Sequence, residues 1–105
     1  MHERDYQAKL IKKFRQVFPG CVILKNDSAY LQGVPDLLIL WNDRWAMLEV
    51  KASRRFTPSA NQEYYVDMLN EMSFASFIYP ENENEVLDDL QYTFSARRSP
   101  RVSKR

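Results

Sequence analysis

The 105-residue chain holds a single cysteine, a single histidine and only two glycines. One thiol, Cys21, excludes an intrachain disulfide and points to a reducing compartment. Its neighbours Val22, Ile23 and Leu24 mark it as a buried structural thiol. No apolar run approaches the ~18 residues of a membrane span, so no membrane partner is expected. The segment from Met1 to Gln7 lacks an apolar signal core, and the expected location is cytoplasmic. There is no internal repeat, and no biased segment other than the C-terminal end. The length excludes two separate cores.

An apolar content of 45%, with 13% aromatics, fits a folded globule. Charge is unevenly spread. Residues 95–105 carry Arg97, Arg98, Arg101, Lys104 and Arg105 and no acid; since the whole chain is +1, residues 1–94 carry −4. A basic tail on a mildly acidic body points to a polyanionic partner. A solvated terminus without a specific partner is the alternative. The division expected is one domain over residues 1–94 and a disordered basic tail over residues 95–105.

Periodicity predicts an amphipathic helix over residues 3–18, with Tyr6, Leu10, Phe14, Val17 and Phe18 on one side. Pro19-Gly20 stops it. Residues 21–24 read as a strand and residues 25–34 as a loop. Residues 36–51 read as two strands joined by a tight Asn42-Asp43 turn. Thr57 reads as an N-cap followed by proline, opening a helix to about Met72. Residues 74–79 read as a strand and residues 81–94 as a last helix. The order is α-β-β-β-α-β-α, an α/β fold with a central mixed sheet flanked by helices. The passage from residue 44 to residue 79 has the form of a crossover between parallel strands.

Period-2 alternation sets Glu49 and Lys51 on one face of their strand, and the hairpin returns them to Asp36. Both faces of the hairpin are apolar, so both are expected to be covered. An aspartate, a glutamate and a lysine at a buried strand end are costly unless paired or metal-bound. Such a group can hold a hard divalent cation and act on a phosphate. A simple Glu49–Lys51 ion pair is the structural alternative. Gln62 falls on the stripe of Val66 and Leu69, so its amide needs partners, and the strand end at Lys51 offers them; helix N-capping is the alternative, although Gln62 lies too far into the helix to be the cap itself. Glu3 heads the first helix, either as a favourable N-terminal acid or as a third carboxylate of the site. Tyr64 or Tyr65, Met68 and Phe74 are candidates for a dimer surface, with ordinary core packing as the alternative for each.

Four segments carry a family resemblance: residues 3–7 (Glu-Arg-Asp-Tyr-Gln), residues 33–37 (Gly-Val-Pro-Asp-Leu), residues 49–51 (Glu-Val-Lys) and residues 57–62 (Thr-Pro-Ser-Ala-Asn-Gln). In this order they resemble the PD-(D/E)xK nuclease superfamily, and within it the small stand-alone VRR-NUC nucleases of phages and bacteria, which are similar to Holliday-junction resolvases. The likeness covers residues 3 to about 79. It implies a restriction-endonuclease-like core and a bacterial or phage-infected cytoplasm. It implies that Asp36, Glu49 and the backbone carbonyl of Val50 ligate Mg²⁺ or Mn²⁺, with Glu3, or Asp5 in its place, contributing. It implies that Lys51 positions or activates the attacking water and that Gln62 orients the site. The activity implied is metal-dependent endonucleolytic hydrolysis of DNA, with branched DNA such as a Holliday junction as the favoured substrate and a homodimer as the active unit. Lys25, Arg54, Arg55, Arg97 and Arg98 are the candidate nucleic-acid contacts. The alternatives are a nucleic-acid-binding module with a degenerate site, or a small interaction or inhibitor protein on the same fold.

Overall fold

The helical stripe near the N-terminus becomes α1 (Glu3–Val17), which buries Tyr6, Leu10 and Phe14 and carries Glu3 and Asp5 in its first turn. Acids there face the positive end of the helix dipole. The structure, a computed structural model, describes residues 2–95. It continues with β1 (Val22–Lys25), β2 (Leu37–Trp41), β3 (Arg44–Val50), α2 (Ala60–Met72), β4 (Phe74–Ile78), a 3₁₀ turn (Pro80–Asn82) and α3 (Glu83–Ser95). The order is the one read from the sequence. The strands form one four-stranded sheet in the order β1-β2-β3-β4. The first three run antiparallel and β3–β4 is parallel, so the sheet is mixed. A parallel pair needs a crossover, and α2 supplies it. Asn42 turns the β2–β3 hairpin at φ 57, a left-handed conformation that asparagine tolerates.

One sheet face forms the main core. Leu37, Ile39, Ala46, Leu48 and Val50 are fully buried against Leu10, Phe14 and Leu90 from α1 and α3. Phe18, Trp41 and Phe94 close its end as an aromatic triangle, with centroids 5.0–6.0 Å apart. Burying each such side chain contributes ~1.5–3 kcal/mol, which explains why the alternating strand positions are apolar here.

The opposite face departs from the expectation that both are covered. Helix α2 packs on β3 and β4 through Val66, Leu69 and Ala75. A helix about 10 Å wide spans only about two strands spaced ~4.8 Å apart. The outer half of that face therefore stays open: Val22 is 51%, Leu24 47% and Leu40 36% exposed. Pairing of Val22 with Leu40 and of Leu24 with Leu38 sets these side chains on one face.

Other boundaries shift. Lys25 ends β1 instead of opening the loop. Ser59, not Thr57, caps α2, because its hydroxyl accepts from the Gln62 N–H. Phe74 lies opposite Ala46 and packs on the main core, so it is not part of the α2-side surface. Cys21 is half-buried, with its thiol toward the Phe14 carbonyl at 3.8 Å. Helix α3 runs through Ser95. The rest of the basic tail, including Arg97 and Arg98, lies outside the described residues. Among the described residues no helix is long and apolar enough to cross a membrane.

Candidate active site

The β2–β3 register sets Leu37 opposite Leu48. One step further out, Asp36 comes level with Glu49. Asp36 has left the ladder: its Oδ2 accepts the Val50 N–H at 2.9 Å, replacing a backbone partner. One more step brings Pro35 level with Val50, and a proline has no N–H to offer the Val50 carbonyl. Asn26 pins this corner. Its N–H donates to the Asp36 carbonyl at 2.8 Å and its Nδ2 to the Pro35 carbonyl at 2.8 Å.

Glu49 is 4% exposed, the one charged side chain in the buried class among the described residues. Its Oε2 lies 3.5 Å from Lys51 Nζ and accepts from Gln62 Nε2 at 3.1 Å. Gln62 Oε1 in turn accepts from Lys51 Nζ at 3.4 Å. The three side chains close a triangle, and Lys51 also lies over the Phe56 ring, 5.6 Å from its centroid. Gln62 has a second duty: it completes a capping box with Ser59, each side chain accepting the other's backbone N–H at 3.1 Å. The helix start and the Glu49 carboxylate are thus fixed by one amide.

Burial pushes the Glu49 carboxyl up to about 7; Asp36 adds to the shift, Lys51 opposes it, and Glu3 adds a smaller push. Burial also raises Asp36, against the Val50 N–H and Lys51. Two carboxylates that share one ammonium and little water repel each other, and a cation between them removes that cost. Among the described residues no three of Asp, Glu, His and Cys converge as a metal cage. An ion held here therefore draws on Asp36, Glu49, backbone oxygen and water, a donor set suited to Mg²⁺ or Mn²⁺.

Asp36, Glu49, Lys51 and Gln62 meet at one end of the two central strands, where β2 begins and β3 ends. Glu3 is exposed at the head of α1; of the first-turn acids, its charge is the one that acts on Glu49. Lys25 is exposed at the end of β1, next to Asn26. Arg54 and Arg55 are exposed, and Arg54 is partly committed to Glu81, with Nε 3.9 Å from Oε2. Sequence reasoning missed Asn26, Ser59 and Phe56. The Ser59-Ala60-Asn61-Gln62 spacing is a legible capping-box signal. Nothing local marks Asn26 or Phe56, whose roles arise from tertiary contact. Comparisons with protein-family models, curated proteins and solved structures find no match for this chain.

Proposed function

We propose that this chain is a metal-dependent DNA endonuclease of the PD-(D/E)xK type, VRR-NUC-like, on a restriction-endonuclease-like core. One observation carries the reading: Asp36, the buried Glu49, Lys51 and Gln62 meet where β2 begins and β3 ends. Beyond the Val50 N–H that Asp36 accepts, burying two carboxylates beside one ammonium is costly to the fold, and a cation between them offsets that cost. Asp36 and Glu49, with the Val50 carbonyl, are the residues to hold Mg²⁺ or Mn²⁺, and Glu3 supplies further negative field. A divalent ion held by these residues would supply Lewis acidity, making water a better nucleophile and offsetting phosphate charge. Lys51 orients the attacking water and meets the charge that develops on the phosphorus oxygens. Gln62 fixes both Glu49 and Lys51, so the two arrive pre-oriented.

The substrate class we propose is branched DNA, and the active unit a homodimer that presents two sites. The open apolar face of Val22, Leu24 and Leu40 supports the dimer, because these three exposed side chains offer apolar area and no charge for DNA. The test is a cleavage panel of four-way junction, flap, nicked and linear DNA, with Mg²⁺, Mn²⁺ or EDTA, alongside light scattering. Metal-dependent cutting that favours the junction, by a dimer, supports the reading. No cutting in either metal leaves a binding module or interaction protein. A monomer that cuts linear and four-way DNA equally removes the branched-DNA and dimer claims.

A further inference from the structure

Tyr30 is 88% exposed, the most exposed of the large hydrophobic side chains. Its loop joins β1 to β2 and is built rather than slack. Ala29 N–H donates to Asp27 Oδ1 at 2.9 Å. The Tyr30 and Leu31 N–H groups donate to the Asp27 carbonyl at 3.1 and 3.2 Å, and the Val34 N–H to the Leu31 carbonyl at 3.1 Å. Asn26 ties one foot to Asp36. Gly33 ties the other to α2: at φ +94, a Cβ there would lie 2.4 Å from Asn61 Cβ. An ordered loop that holds an aromatic ring out in water forgoes the burial that a ring of this size offers. The ring's position is therefore suited to something that arrives.

Two pockets flank the loop. One, of about 510 Å³, is lined by Ser28, Ala29, Gln32, Gly33, Ser59 and Gln62, so it opens onto the amide that holds Glu49. The other, of about 500 Å³, is lined by Asn26, Asp27, Tyr30, Leu31 and Val34. The first offers uncharged hydroxyls and amides, suited to sugar and phosphate oxygens. The second offers the Tyr30 ring, apolar Leu31 and Val34, and the amide of Asn26 and carboxylate of Asp27, which suit the flat face and amino edge of a base. Lys25, exposed at the loop's foot, supplies a charge for the backbone.

On the nuclease reading above, we propose that this loop clamps one unpaired nucleotide next to the scissile phosphate, with its base stacked on Tyr30. The polar pocket runs from Ser28 and Ala29, the loop residues just before Tyr30, to Gln62, which holds Glu49, so the loop and the proposed site share one wall; this favours a nucleotide over a second copy of the chain as occupant. A fully paired duplex must first unstack a base to use the clamp, whereas a junction, bulge or flap presents one already free. The loop thereby becomes the element that selects branched DNA.

Two readouts test this. The first is the ratio of Mn²⁺-dependent cleavage of a duplex with one unpaired nucleotide at the cut to cleavage of the same duplex fully paired. Base–aromatic stacking implies that Tyr30→Ala lowers this ratio about tenfold to a hundredfold, while Tyr30→Trp retains it. The second is the fluorescence of 2-aminopurine at the unpaired position, bound to the cleavage-dead Asp36→Asn protein. Stacking on Tyr30 quenches it, and adding Tyr30→Ala releases the quench. Cleavage with a ratio and a quench indifferent to Tyr30→Ala overturns the clamp and leaves the nuclease reading intact. The same indifference, with Tyr30→Ala turning a dimer into a monomer, assigns the ring to a protein contact and overturns the clamp as well. A Tyr30-dependent quench without any cleavage by wild-type protein supports base capture and defeats the nuclease reading.

Discussion

At the scale of single residues, Glu49 sets the terms. Its carboxyl titrates near 7 in the fold against an ordinary value of 4.5. Between those values the native state keeps a proton that the unfolded chain has released. The contribution of Glu49 to metal-free stability is thus fully present below about pH 4.5 and is lost as the pH rises through about 7. The raised Asp36 acts in the same sense. In EDTA, the melting temperature is expected to be higher at pH 5 than at pH 8, with a smaller difference for Glu49→Gln. An identical pH response in that variant would show that Glu49 is not the group responsible. Mn²⁺ affinity should run the other way and rise with pH, because protons compete for the same oxygens. Asp36 offers a second contrast. Asparagine keeps an acceptor for the Val50 N–H and removes the repulsion with Glu49, whereas alanine leaves that N–H without its partner, a loss of ~1–3 kcal/mol. Metal-free Asp36→Asn should melt above wild type and above Asp36→Ala by at least about 4 °C. Calorimetry that ranks alanine at or above asparagine would mean that the Val50 N–H gains nothing from an acceptor at this position.

At the scale of elements, the β2–β3 hairpin was legible because its alternation, its Asn42 turn and its acidic ends all agree on one register. The first helix was legible from its stripe. Two things were not. The start of α2 was misplaced because Thr57-Pro58 imitates a cap, while the operative signal is the reciprocal Ser59–Gln62 pair. The bareness of the outer sheet face was hidden because an apolar strand position looks the same whether or not a helix lies over it; only the placement of α2 decides. The Asp36, Glu49, Lys51 and Gln62 set was readable from residue type and spacing, and Asn26 was not, since it acts through a contact with the strand it faces. Gly33 couples the loop to α2. Gly33→Ala would force both a positive φ and a clash with Asn61, costing of order 1–3 kcal/mol. Because Asn61 is one residue from Gln62, activity should fall further than a melting-temperature loss of several degrees explains. Measuring residual cleavage well below the variant's melting temperature checks this; full activity there would uncouple the loop from the site.

At the scale of the whole molecule, the basic tail and the proposed site lie in different parts of the sequence. Residues 95–105 carry five cations, and the proposed catalytic groups end at Gln62. If the tail contacts phosphates, a chain ending at Phe94 should bind DNA with a slope of log K against log salt that is flatter by up to about 4–5. Cleavage at saturating DNA should persist. An unchanged slope would make the tail a bystander, and a dead truncated enzyme would give it a catalytic or folding role. The central claim is that Asp36 and Glu49 serve hydrolysis rather than stability alone. The direct measurement is the initial rate of Mn²⁺-dependent cleavage of a four-way junction by wild-type and Asp36→Asn proteins, both shown folded by circular dichroism. The expected result is wild-type cutting that EDTA abolishes and a loss of about a hundredfold or more in the variant, on the scale of removing a metal-site group. Equal rates for the two folded proteins would contradict the claim.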